Sequence, residues 1–334
     1  MSFTSLTNDD IQISSDSIVS PLWSNEETVL QNFFTKSNTS SSYLEVYSQN
    51  PNTNVNAKVE FSLNYGNISG SGSAPFNPLV PSLTLTKAIY GQIRTLINGD
   101  ENTAINFGTG NTTSEDVYVI NVERARYKEK LFLNTFNLRL RCASGSINLT
   151  NNSKDSNTVN YNDAGRVYNI VSGSNGNAIS SGGLTDSGSY GKFLPDVGLI
   201  LLNPKALSLP YASGGIDLSI GSGTDVSTYN NNNNILFGAI NSGSYFSLNS
   251  EETITSDYFY VRVRHNDYNY TTNPSIINDA GEFYFDTLIN DPQTYITTIG
   301  LYNDSNELLA VAKTSKPLPK NFVKEHLFKI KLDF

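Results

Sequence analysis

The sequence predicts a mainly β protein: antiparallel, sandwich-like sheets with long Gly/Ser/Asn loops and two or three short helices. Three observations predict it. Stretches alternating between apolar and polar residues recur along the chain, as half-buried strands require. Only 16% of the residues are charged and 38% hydrophobic, and good helix formers seldom run together. Yet 19 Tyr and 17 Phe are too many aromatics for a chain that never packs. The 334 residues suffice for two or three domains. We read an N-terminal docking segment over 1–56, a β-rich central domain over 57–250 and a C-terminal β-domain over 251–334, the last boundary set by a change of pattern near residue 250.

The elements follow in order. Ile11 and Ile13 alternate with Gln12 and Ser14 as a short strand. Ser24 with Glu27 three residues on matches a capping box, and Val29, Leu30, Phe33 and Phe34 follow at helical spacing. That predicts a helix, packed on its own sheet or docked on a neighbouring subunit. Lys58 to Tyr65 alternates cleanly as a strand, and a Gly/Ser/Pro loop follows from Gly66 to Pro81. Leu85, Ile89, Ile93, Leu96 and Ile97 form one apolar stripe of a second helix, which Asn98-Gly99 stops. In the next strand Val117 and Val119 oppose Tyr118, Ile120 and Val122. The mixed-charge run Glu123 to Lys130 reads either as a basic subunit contact or as a solvated edge. Phe136 to Cys142 is another alternating strand, in which Cys142 reads as a small buried apolar residue.

Residues 143–190 and 221–234 are rich in Ser, Gly and Asn and read as long surface loops between strands, or as insertions at one end of a sandwich. Apolar pieces recur among and after them at Arg166–Val171 and Val197–Leu202, the latter followed by a helical turn near Asn203–Leu207. A further helix is predicted over Ile235–Ile240. Tyr258 to Arg264 alternates as a long strand, and Asn273-Pro274 favours a turn. The last fifth predicts a hairpin, Tyr295–Tyr302 and Glu307–Lys313 around the turn formers Asn303 to Asn306. A final strand sends Phe328, Ile330, Leu332 and Phe334 one way and Lys329, Lys331 and Asp333 the other. From Lys313 to the end the charge is +4, against −9 for the whole chain. This asymmetry suits contact between unlike surfaces, or simply a wet strand face on which Lys blocks unwanted edge pairing.

The C-terminal stretch Ile299–Asp304 with Leu308–Lys313 and Lys316-Pro317 resembles a hairpin of tail-fibre and baseplate-associated proteins of tailed bacteriophages. The opening SLTNDDIQISSDSIVSPLWS (Ser5–Ser24), INVERARYKEKL (Ile120–Leu131) and AGRVYNIVSGSNG (Ala164–Gly176) resemble virion structural proteins of contractile-tailed phages that infect cyanobacteria, a likeness covering most of the chain. The resemblance implies a non-enzymatic building block of the tail, baseplate or fibre attachment, made in the bacterial cytoplasm and located in the virion. Its partners would be other tail, baseplate or fibre subunits, including copies of itself in a ring. A neck or capsid-surface component, and a glycan-binding adhesin acting through Asn/Tyr loops, are the alternatives.

Few residues of the chain suit chemistry. The chain has one Cys and two His, His265 and His326, so a zinc site lacks its soft ligands and no disulfide can close within the chain. No nucleophile elbow and no phosphate loop appears: Gly173–Gly176 and Gly182-Gly183 lack the Lys that would open a helix. Asp/Asn loops such as Asn162-Asp163 and Asn303–Asn306 lack the closing Glu of a calcium loop. A net charge of −9 argues against nucleic acid, and no stretch has the length of a membrane span. No catalytic residue, cofactor or metal is expected. The candidates for interfaces are Arg124, Arg126, Lys128, Arg262, Arg264, Lys329 and Lys331. The expected core of the C-terminal domain is Ile299, Leu301, Tyr302, Leu309, Val311, Phe328, Ile330, Leu332 and Phe334.

Overall fold

A computed structural model describes the chain except residues 1–3, 37–42, 73–83, 109–112, 155–158, 180–189, 221–230 and 271–273. The predicted loop over 73–81, Gly182-Gly183 and Asn273 of the predicted turn lie outside the described residues. The protein is mainly β, with antiparallel sheets and a few short helices. The chain divides into a larger unit, Ile18–Glu252, and a smaller one, Met1–Ser17 with Thr253–Phe334. Residues 1–56 are therefore shared between the two. The strand Phe246–Val263 belongs to the larger unit as far as Glu252 and to the smaller from Thr253.

The larger unit is one long antiparallel succession. Starting from Phe246, the neighbours are Lys130–Cys142, Gly145–Asn151, Gly165–Ser174, Gly191–Leu194, Leu199–Leu202, Asp116–Val122, Val59–Asn67, Leu44–Tyr47 and Phe34–Thr35. The sheet curls, because Phe246 at one end and Phe61 far along it meet with ring centroids 5.4 Å apart. Trp23 closes the gap, 5.0 Å from Phe246 and 6.1 Å from Phe61. Inside the curl lie Tyr65, Tyr118, Phe136, Phe193 and the helix Asn231–Gly243, through Leu236, Ala239 and Ile240.

Strand parity explains why both sheet faces are covered. Tyr118, Ile120 and Val122 point into the curl, while Val117 and Val119 join a second cluster with Tyr90 and Ile93 of the helix Leu85–Asn98. That helix ends as its sequence predicts, at Gly99 with φ 65°. It sits close because Gly66 carries no side chain: a Cβ there would lie 2.9 Å from the Tyr90 backbone nitrogen.

Three expectations are corrected. The predicted helix after Ser24 is a turn followed by the short strands Val29–Leu30 and Phe34–Thr35. Its capping residue is taken elsewhere: the Ser24 amide donates to both Glu60 carboxylate oxygens, at 3.2 and 3.0 Å, and its hydroxyl donates to the same group. Glu60 is fully buried and also accepts from Ser48 Oγ at 2.6 Å. Glu26 then adopts φ 61°, which breaks any helical path.

The second correction concerns 143–190, where strands extend beyond the apolar piece Arg166–Val171 that was expected. The stretch contains Gly145–Asn151 and Gly165–Ser174 in the main sheet, with Asn160–Asn162 and Asn177–Ala178 alongside. Its polar residues serve as internal bonds: Thr150 Oγ1 donates to Phe136 O at 2.8 Å and accepts from Gly176 N at 2.9 Å. Asn231 to Asn234 likewise begin a helix. Third, Cys142 is half-buried at a strand end, with its thiol pKa raised by burial.

The smaller unit pairs Ser256–Val263 with His326–Asp333, antiparallel. Tyr260 OH donates to Gln12 Oε1 at 3.1 Å, from the strand Ile11–Pro21. The predicted hairpin is present as Thr294–Tyr302 with Leu308–Lys320 and forms a two-stranded sheet of its own. Its second strand runs seven residues past Lys313. The turn holds because Glu307 N donates to Asn303 Oδ1 at 2.8 Å and Asn306 takes φ 59°, a conformation Asn tolerates.

Candidate assembly surface

The smaller unit has little core. Among its described residues only two hydrophobic side chains, Val263 and Ile330, are buried. Ile13, Tyr295, Leu309, Val323, Leu327 and Phe334 each stand at 60% exposure or more. The final strand keeps its predicted parity, since His326, Phe328, Ile330 and Leu332 are covered or half-covered and the odd-numbered residues are exposed. Phe334 does not join them. Its backbone pairs with Thr255, at 2.9 Å from its own amide, but its side chain is 74% exposed.

On the hairpin the expected core is met only in part. Ile299 and Leu301 are half-buried opposite Ala312 and Ala310. Tyr302, Leu309 and Val311, expected in the core, are exposed. Val311 faces Gly300, and a Cβ at Gly300 would lie 2.8 Å from the Tyr302 ring, so that ring folds over the glycine. Leu308 pairs with Tyr302 past a register shift and is also exposed. The result is an apolar patch on a ribbon with both edges unpaired among the described residues.

The cation candidates fall into two groups. Arg124, Arg126 and Lys128 occupy one turn of the larger unit. Arg124 donates to Tyr127 O and Lys128 O, at 2.5 and 2.7 Å, and lies over the Tyr127 ring. Lys128 pairs with Glu252 at 2.5 Å, and Arg126 Nε is buried without a hydrogen-bond partner among the described residues. In the smaller unit, alternation places Tyr258, Tyr260 and Arg262 on one face with Lys329 and Lys331, and Arg264 follows just past the strand end. Lys329 Nζ sits 4.1 Å from the Tyr258 ring centroid. Lys331 bonds Asp333 at 2.9 Å, which raises its pKa and lowers that of Asp333. Arg262 contributes its field to Asp10 and Glu325, and the Arg264 amide donates to Asp267 at 3.0 Å.

Lys320 is a residue that sequence reasoning missed. It is fully buried, and its ammonium donates to His265 O, Asn269 Oδ1 and Asn321 O at 2.8, 2.8 and 2.9 Å. Lost hydration lowers its pKa. The one signal was parity: Lys320 shares the even positions of its strand with the half-buried Ala310, Ala312 and Thr314. His265 bonds Glu325 through Nδ1 at 3.0 Å, with both side chains about half exposed. His326 Nε2 donates to Pro319 O at 3.0 Å.

Among the described residues no group of three or more His, Cys, Asp or Glu could hold a metal, and no helix is long and apolar enough to cross a membrane. Comparison with known family models, curated proteins and solved structures finds no match to this chain.

Proposed function

We propose that the chain is a non-enzymatic building block of a tailed-phage particle, part of the tail, baseplate or fibre attachment, and that its smaller unit is the part docked on neighbouring subunits. The observation that carries this reading is the mismatch between two buried hydrophobic side chains and the many exposed ones in that unit. Small units need a supplement to a thin core, and contiguous exposed apolar surface marks interaction sites. The unpaired hairpin edges add main-chain donors and acceptors that a partner strand can take up.

Site-directed thiol labelling tests this. In a Cys142→Ser background, Val323→Cys and Leu309→Cys should react with a maleimide in the free chain and be protected in purified particles. Val55→Cys, at a fully exposed position of the larger unit, serves as the reactive reference in the free chain. Equal labelling of Val323→Cys and Leu309→Cys in the free chain and in particles, or absence of the chain from particles, would overturn the proposal.

A further inference from the structure

The larger unit contains a cleft of about 400 Å³ at the turn joining Lys130–Cys142 to Gly145–Asn151, within the ~300–1,000 Å³ typical of small-molecule sites. Arg139 and Arg141, two residues apart on one face, line it, while Leu138 and Leu140 are buried on the other. Ser144, Ser146, Ser242 and Tyr211 complete its polar and aromatic walls.

The walls are held in place. Arg139 Nε donates to Asn148 Oδ1 at 3.0 Å, and its guanidinium lies 5.5 Å from the Tyr245 ring. The Tyr211 ring lies directly on Gly145, where a Cβ would fall 2.4 Å from Cδ2. The Arg141 side chain has no hydrogen-bond or ion-pair partner among the described residues, and no carboxylate lines the cleft. In a chain of net charge −9, two arginines converging without a counter-ion are out of balance with their surroundings. Asp217, exposed and close enough to raise the pKa of Cys142, is the acid whose field reaches this end of the strand. The C-terminus of the helix Asn231–Gly243 brings a partial charge of about −0.5. The two arginines of the lining carry full positive charges, against one charge outside the cleft and a partial one at its rim.

A bare anion would use the guanidiniums alone. Three hydroxyls and an exposed ring set flat against the backbone offer more: hydrogen bonds for sugar hydroxyls and a platform for the apolar face of a pyranose. Arginine, with its planar fork, matches a carboxylate in bidentate fashion. We propose that this cleft binds an acidic saccharide, with its carboxylate on Arg141 and Arg139 and a sugar ring on Tyr211. This adds ligand recognition to a part of the chain that the assembly role does not use.

Titration calorimetry on the full chain tests it, with trigalacturonic acid and sialyllactose as acidic probes, maltotriose and lactose as neutral ones, and inorganic phosphate. At least one acidic probe should bind at least tenfold tighter than its neutral counterpart. Arg141→Gln and Tyr211→Ala should each weaken that binding tenfold or more, while Arg264→Gln leaves it unchanged. Thermal melts of these surface variants confirm that they fold. The proposal is overturned if neither acidic probe is preferred, or if Arg141→Gln binds like the parent. It is equally overturned if phosphate binds as tightly as the sugars and Tyr211→Ala has no effect, which would leave a simple anion site.

Discussion

The two units solve the same problem of keeping a β-sheet dry in opposite ways. The larger curls its sheet until aromatics from distant strands meet, so Phe61, Phe136, Phe193 and Phe246 have no exposed surface. The smaller pairs strands with one good alternation and leaves most of its apolar side chains in water. Burial scales as about 25 cal/mol per Å² of apolar surface, so the first arrangement stabilises the chain by itself. The second stabilises it fully only where another surface covers the patch.

The difference is testable because the single Trp, Trp23, is buried in the larger unit and reports on it alone. The largest effect is expected from Phe246→Ala. It removes a ring in contact with Trp23, Phe61 and Phe136 and should cost about 3–5 kcal/mol as a cavity at a site that cannot collapse. Urea unfolding followed by Trp23 fluorescence reads this directly. A loss below about 1 kcal/mol would mean the curl does not carry the stability of the larger unit.

Lys320→Met should cost about 1–3 kcal/mol, because three acceptors in the smaller unit lose their donor. Here the location matters more than the size. Amide exchange in Thr294–Lys320 should accelerate while the Trp23 transition stays in place. If the Trp23 midpoint moved by the same amount, the two units would not be energetically separate and the contrast would fail.

Many of the elements behind this contrast were legible in the sequence; the contrast itself was not, since a core was expected in the C-terminal domain, and what was missed has definite causes. The stripe from Leu85 to Ile97 with Gly99 gave a helix, because period and stop agreed. The alternation around Val117 and Tyr118 gave a strand, and both parities proved apolar because a helix covers the outer face. Ser24 misled because a capping signature is local, whereas its real partner, Glu60, is thirty-six residues away. The strand Gly145–Asn151 was hidden because Thr150 and Asn151 are buried through hydrogen bonds, not through hydrophobicity. Leu309, Val311 and Phe334 show the remaining limit: alternation tells which residues share a face, not whether anything lies against that face. The convergence of Arg139, Arg141 and Tyr211 depends on a turn, a helix end and a distant segment, which no spacing rule encodes.

A smaller effect comes from acid. Burial raises the pKa of Asp196, but hydrogen bonds from Arg166, one of them at 2.5 Å, more than offset this and hold it below its ordinary value. The unfolded carboxyl titrates near ~3.9. Its contribution is therefore complete above that value and is lost as pH falls through the lower, folded one. The pair is partly exposed, so its worth is under about 1 kcal/mol. The Trp23 urea midpoint should fall on acidification below about pH 4, and Asp196→Asn should flatten that slope. An unchanged slope in the variant would assign acid sensitivity to other carboxylates.

The smallest effect in the free chain is the most informative. Leu309 is 68% exposed, so Leu309→Lys should change stability by no more than about 0.5 kcal/mol, with both the Trp23 transition and hairpin amide exchange unmoved. The same substitution sets a charge in the middle of the apolar patch. If that patch is covered in the particle, the variant chain should compete poorly with the parent for incorporation when both are supplied together, because a lysine buried without a partner costs several kcal/mol. Equal incorporation would mean that the hairpin face stays wet in the assembly, and that Phe334, Leu327 and Val323, at the other end of the smaller unit's chain, form the contact instead.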